Sequence, residues 1–315
     1  MYAGIDIGGT SIKYGVTSKD GSILFQDSIP TEPEKGPKYM ISRLQKLIND
    51  ISEAFPDVLS FGIGFPSVVN PSDGCVYYPP NLPGWGIVPL VQLLQSCTTL
   101  PVSIDNDANV AALAEATLGA GKNASHFLYV TLGTGIGGGI ILNHHIFTGE
   151  RGGAGEIGHI IIKADDSKGD EASYRTGTME EYIGRMGLIR MAQKHAQSYP
   201  NSIIHTYENI DVEDISYCAE QGDSAAIACM TEAGTLLGLG LASILAILDM
   251  RIVVIGGGIS KSCSLFLDTA LLTLKQRSLP TISSLVEIRK AFFSNNAGLV
   301  GAAMLGKSRI GNLTL

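Results

Sequence analysis

Cysteines are few in this sequence and none are paired. The five, Cys75, Cys97, Cys218, Cys229 and Cys263, are scattered, and no C-x-x-C spacing occurs. An odd, unpaired set gives no disulfide framework and fits a reducing compartment. The opening MYAGIDIGG lacks the charged and apolar regions of a secretion signal, so the expected location is the cytoplasm. Basic residues are scarce too. Lys and Arg total 22 against 30 Asp and Glu, a net charge of −8. A broad nucleic-acid footprint needs clustered cations, so no nucleic-acid partner is expected. The apolar run over residues 233–248 stops after 16 positions at Asp249, short of a membrane span. It reads as a buried core helix, and no membrane partner is expected. No Pro-rich, Gly/Ser-rich or charged linker divides the chain. At 315 residues, 45% hydrophobic and 17% charged, the chain has the size and composition of two packed domains.

What is abundant is glycine, in turns that follow apolar strands. YAGIDI, GGTS and IKYGV read as strand, turn, strand over residues 2–16, and Asp20-Gly21 predicts a further hairpin. Met40, Ile41, Leu44, Leu47, Ile48 and Ile51 share one face of a predicted helix over 37–55. LSFGIGFPS is a short buried strand, 70–86 is loop, and VSID is a strand. NDANVAALAEATLG is a helix that starts at an Asn or Asp cap. FLYVTLGTGIGGGIILNHHIF then repeats strand, turn, strand, a weak sign of internal duplication. Long helices are predicted over 179–197 and 224–248. RIVVIGGGIS is a buried strand ending in Gly256-Gly257-Gly258, and NNAGLVGAAMLG is a small-residue helix.

Gly133, Gly135 and Gly138 spell G-x-G-x-x-G, the fingerprint of a dinucleotide site. That site requires a helix next, with an acidic residue about 20 positions on. Glu150 stands where such an acid would, so the glycines alone leave a nicotinamide enzyme open. The following GIILNHHIF is β-branched and Gly-rich with a polar Asn143-His144 turn, which favours a hairpin. The surviving reading is a phosphate-facing turn in which glycine allows close approach and positive φ. The turn Ile5-Asp6-Ile7-Gly8-Gly9-Thr10 is the same device with an acid suited to Mg²⁺.

IDIGGTSIKYGV, NDANVAALAE, VTLGTGIGGGII, RGGAGEIGH and VVIGGGIS occur in the order seen in ROK-type sugar kinases of the actin-like ATPase superfamily. The sequence resembles them over residues 5–306. The resemblance implies an α/β fold of two ribonuclease-H-like domains with a cleft between them. The expected division is 1–115, onto which a helix over about 298–315 packs back, and 116–297, with a tight hinge near 113–120. By the same resemblance Asp6, Gly8, Gly9 and Thr10 form one phosphate loop, with Lys13 near it. Gly133, Thr134 and Gly135 form a second, and Gly257 and Gly258 lie by adenosine. Asp107 is the catalytic base and Asn106 holds a sugar hydroxyl. Gly64, Glu156, His159 and Glu180 complete the sugar site, with Glu181 a rival to Glu180. Asp105 is structural. ATP and Mg²⁺ are the implied cofactors, with Asp6 holding the metal indirectly, and a homodimer is the implied assembly.

Many members of the family carry a zinc element, C-x-C-G-x-x-G-C-x-E. Its cysteine positions fall here on Glu171, Ser173 and Thr178, so no zinc is expected. The expected activity is ATP-dependent phosphorylation of glucose to glucose 6-phosphate. Fructose, N-acetylmannosamine or allose as acceptor, and polyphosphate as donor, stay open. Sugar-responsive repressors of the same family place a helix-turn-helix before the first phosphate strand, which here begins by residue 2.

Overall fold

The alternation of apolar and small residues along the opening segment decides which way each side chain faces. In the computed structural model, which describes residues 1–164 and 173–310, the first elements are β1 (Tyr2–Ile7), β2 (Ser11–Thr17), β3 (Ile23–Pro30), α1 (Gly36–Ala54), β4 (Phe61–Phe65), β5 (Val68–Asn70), β6 (Cys75–Tyr77), β7 (Ile87–Val88), α2 (Leu90–Gln95), β8 (Val102–Asn106) and α3 (Asp107–Thr117). There follow β9 (Phe127–Leu132), β10 (Ile136–Leu142), β11 (His145–Ile146), α4 (Met179–Ile183), α5 (Arg185–Ala196), α6 (Val212–Glu220), α7 (Ser224–Leu248), β12 (Ile252–Gly256), α8 (Ser264–Arg277), α9 (Pro280–Ser283), β13 (Glu287–Lys290) and α10 (Ala297–Ile310). The chain divides into two compact units. One comprises Met1–Tyr129, Gly139–Gly155 and Ala291–Leu315, the other Val130–Gly138 and Glu156–Lys290.

In the first unit the strand order is β3-β2-β1-β4-β8, with β1, β4 and β8 parallel. Ala3, Ile5 and Ile7 face α1, where Leu44, Ile48 and Ile51 meet them. Ile41, expected on that face, is only partly buried. The even positions of β1 face α3 and α10. Tyr2 packs there with Leu113, Leu299 and Ala303. Asp6 shares that face at the carboxyl end of the strand.

Glycine lets α10 lie against the sheet. A Cβ on Gly4 would stand 2.2 Å from the Leu299 carbonyl oxygen, and one on Gly62 1.8 Å from that of Ala302. Gly301 likewise approaches the Val110 carbonyl of α3, where a Cβ would fall at 1.6 Å. Residues 70–86, expected as loop, contain β6, the middle strand of a small sheet β5-β6-β7. Three residues are too few to show a period of two among Gly, Pro and Asn, which is why the strand was hidden.

The second five-stranded sheet has the order β11-β10-β9-β12-β13. Asn143 and His144 both take positive φ in the β10–β11 hairpin, the two-residue turn that matches strand twist. The glycines of residues 133–138 therefore lead into a strand, not the helix a dinucleotide site needs. In the second unit α7 is apolar on most sides and packs against α8 through Gly234 and Gly238. It is long and apolar enough to cross a membrane, yet 14 of its 25 residues are buried among its neighbours, which is the pattern of a core helix.

The helix expected over 179–197 is broken at Gly184 into α4 and α5. A Cβ there would stand 2.7 Å from the Glu180 carbonyl oxygen. The break has a use: it frees the Arg185 N–H to donate to the Gly133 carbonyl at 3.1 Å.

Candidate active site

In the first unit the chemistry gathers at the carboxyl ends of the three parallel strands, where α/β sheets bind ligands. Asp6 lies beside Gly64 in the β1–β4 ladder, and Gly64 beside Asp105 in the β4–β8 ladder. A Cβ on Gly64 would be 3.5 Å from Asp6 Oδ1 and 3.6 Å from the Asp107 Cα. The nearest atom would be Val110 Cγ2, at 2.7 Å, so glycine at this position makes room for the Val110 side chain of α3.

Asn106 caps α3. Its Oδ1 accepts from the N–H groups of Ala108 at 2.9 Å and Asn109 at 3.3 Å, while its Nδ2 donates to the Ser67 carbonyl at 3.1 Å. Asp107 begins the helix, and its Oδ1 accepts from the Ala108 N–H at 2.8 Å. The positive end of the helix favours its charged form. Asp105 is buried and accepts from Asn106 N–H and from Asn109 Nδ2, so it braces the cap.

The turn after β1 is held by a residue that the local sequence gives no reason to pick. Thr31, fully buried, donates from its hydroxyl to the Gly8 carbonyl at 2.6 Å, and its N–H donates to the Thr10 carbonyl at 2.9 Å. It stands 23 positions from Gly8, so only the β2–β3 pairing brings it there. Neither Gly8, Gly9, Gly133 nor Gly135 has positive φ, contrary to expectation. Access accounts for the glycines instead. A Cβ on Gly9 or Gly133 would meet nothing, so the backbone is open on that side. Lys13, opposite Asp6 in the ladder, donates from Nζ to the Asn295 carbonyl at 3.0 Å.

Burial raises the Asp6 pKa to about 6, against the lowering pull of Lys13. The folded protein therefore holds this proton more tightly than the unfolded chain. Stability contributed by the neutral form is full below about pH 4 and is lost as pH rises through about 6. At about 1.36 kcal/mol per unit the shift corresponds to at most about 3 kcal/mol, less for a side chain in partial contact with water. Asp6→Asn is accordingly expected to stabilise the ligand-free protein at pH 8 by about 1–2 kcal/mol and to leave it little changed at pH 4. Urea unfolding at the two pH values measures this. An Asn variant less stable at pH 8 would show that the carboxylate is well satisfied.

In the second unit the turn Gly133-Thr134-Gly135 is pinned at both ends. Arg185 N–H holds the Gly133 carbonyl, and Glu180 Oε2 accepts the Ile136 N–H at 2.9 Å. Gly135 leaves the space that Glu180 fills, since a Cβ there would be 2.2 Å from Oε2. Gly257 has φ +87 and lies against Leu132, just before the turn, while Gly258 is open. Glu156 and His159 flank a short 3-10 turn, with Oε2 and Nε2 3.9 Å apart. Burial raises the Glu156 pKa, His159 opposes the rise, and Glu180 adds to it. Glu181 Oε2 accepts the Gly177 N–H at 2.9 Å.

Among the described residues the donor set does not fit the zinc element of the family. Glu171 lies outside the described residues. Ser173 Oγ accepts from the Arg175 N–H, and Thr178 Oγ1 both donates to the Arg175 carbonyl and caps α4. His159 Nδ1 is buried without a partner in the described structure, but hydroxyls already engaged in turns do not complete a tetrahedral N/S site around it.

Sequence comparison gives the same picture. The ROK family matches residues 2–309. The chain is 33% identical to a glucokinase of Halalkalibacterium halodurans over 98% of this chain and 95% of that protein. A ROK family glucokinase of Streptomyces griseus, solved in complex with glucose and AMPPNP, is 31% identical with a TM-score of 0.81, covering 98% and 99% of the two chains. A xylose repressor of Caldicellulosiruptor bescii is 29% identical over 87% of this chain and 70% of that protein. With the strands, glycine turns and capped Asn106-Asp107 pair in place, the chain belongs to the ROK family.

Proposed function

We propose that this protein is a sugar kinase that transfers a phosphoryl group from ATP to a hexose, glucose foremost. The observation that carries the reading is Asp107 at the start of α3, at the carboxyl ends of the same three parallel strands that carry Asp6. The glucokinase relatives, similar over nearly their whole lengths, support the choice of sugar.

Phosphoryl transfer asks a base mainly to orient the attacking hydroxyl and to take its proton late. Asp107 does this, and Asn106, fixed between the Ser67 carbonyl and the helix N–H groups, aligns the same hydroxyl. Glu156, His159 and Glu180 bind the other hydroxyls, and a sugar that leaves one of them unpaired is rejected. Gly8, Gly9 and Thr10, together with Gly133, Thr134 and Gly135, bring open backbone to the donor phosphates, where Lys13 adds charge. Gly257 and Gly258 lie beside the adenosine. Asp6, its charge poorly compensated, is suited to Mg²⁺ held directly or through water. Bound there, the ion neutralises charge on the donor phosphates. Zinc has no part in the reading.

The test is sugar-dependent donor consumption with glucose, fructose, N-acetylmannosamine and allose, each with Mg-ATP or polyphosphate. Glucose with ATP is expected to give the highest kcat/KM, by about tenfold or more over a hexose that leaves a site hydroxyl partner unpaired. Consumption of polyphosphate alone overturns the donor. No sugar-dependent consumption of either defeats the kinase reading.

A further inference from the structure

Two residues outside the assigned machinery join the three groups given to the sugar. Arg175 donates from Nε to Tyr174 Oη at 3.2 Å, and its Nη1 lies 3.4 Å from Glu180 Oε1. The Tyr174 ring packs on the His159 imidazole, with centroids 5.8 Å apart and planes tilted by 43°. His159 in turn faces Glu156. Glu180 uses its second oxygen for the Ile136 N–H of the phosphate turn. A continuous line of contacts thus runs from Glu156 through His159, Tyr174, Arg175 and Glu180 to Ile136.

Charge gives the line a purpose. Burial raises the Glu156 pKa, and repulsion from Glu180 adds to that rise. Arg175 supplies a cation on the Glu180 side of that pair. The segment that carries it is closed at its base. Ile161 bridges to Thr178, and the Met179 N–H donates to the Ile160 carbonyl at 2.8 Å. We infer that Arg175, with Tyr174 seated on His159, is a positioning residue that sets Glu180 and His159 for the sugar and ties them to the second phosphate turn. The inference rests on the sugar-binding roles proposed above.

Magnitude separates this role from a structural one. The Arg175 and Glu180 side chains are 43% and 23% exposed, and a pair so placed adds at most about 1 kcal/mol to stability. Removing it should spare the fold and disturb placement. In the full-length protein, Arg175→Ala is expected to raise the sugar KM about tenfold, leave the donor KM within about twofold, and shift Tm by only a few degrees. Arg175→Lys, which keeps the charge, should recover the sugar KM to within about threefold of the parent. A sugar KM in Arg175→Ala within about twofold of the parent overturns the proposal. Hydrogen exchange at the Ile136 amide gives a second readout that needs no activity. Without ligand it should speed about tenfold in Arg175→Ala and not in Arg175→Lys. Unchanged exchange in Arg175→Ala also overturns the proposal. A protein that phosphorylates no sugar would defeat the kinase reading and leave this measurement interpretable.

Discussion

Asp107→Asn is expected to lower kcat by about a thousandfold while the sugar KM stays within about threefold of the parent. The variant is isosteric. Asn keeps an Oδ1 that accepts from the Ala108 N–H, and the true cap of α3 is Asn106, which is untouched. The helix start and Asn106, proposed to align the sugar hydroxyl, should therefore survive, so ground-state binding survives with them. What is lost is a group that takes a proton, and that loss is felt only as the O–H bond of the sugar breaks. A positioned general base contributes about 10²–10⁴ in rate, which sets the expected size. Steady-state kinetics with thermal denaturation as a control measures it. Turnover within tenfold of the parent, in a variant of parental Tm, would remove Asp107 from the role of base.

Gly62→Ala is expected to cost about 3 kcal/mol of stability. The added carbon would stand 1.8 Å from the Ala302 carbonyl oxygen and 2.7 Å from the Gly306 nitrogen. Both are backbone atoms of α10, so no rotamer change relieves the clash. Either the helix lifts from β4 or the strand bends, and the Leu299–Ala303 packing on Tyr2 goes with it. Gly9→Ala is the matched control. Its Cβ would meet nothing, so stability should change by less than about 0.5 kcal/mol, while the donor KM rises because the open side of the phosphate turn is filled. Urea unfolding of the two variants side by side decides the matter. Equal stabilities would mean that α10 does not lie as close to β4 as described.

Much of this architecture was legible because it is local. β1, its glycine turn and β2 follow from β-branched alternation, and the cap at Asn106 follows from residue type alone. The α/β class and the family follow from five motifs in order. What escaped depends on distant partners. Thr31 steadies the first phosphate turn only because β3 pairs with β2. The helical pattern breaks at Gly184, where the next N–H, that of Arg185, goes to the Gly133 carbonyl some fifty positions back, which no window of sequence reports. The glycines of the two turns were expected to need positive φ, yet their φ values are ordinary; Gly9 and Gly133 leave the backbone open, and Gly135 makes room for Glu180. Arg175 carried no signal at all, because its meaning comes from Glu180 and from the ring that Tyr174 rests on His159.

The position of α10 in the chain has a consequence for how the protein is made. Its residues follow every residue of the second unit in order of synthesis, yet they fill the middle of the first. On the ribosome, β1 and β4 emerge early with their glycine-lined face bare and must wait for Leu299 and Ala302 to cover it. The second unit has no such debt and is free to finish folding first, reversing the usual order in which the amino-terminal part of a chain folds before the rest. The nascent first unit thus keeps the glycine face of β1 and β4 uncovered until α10 has been made.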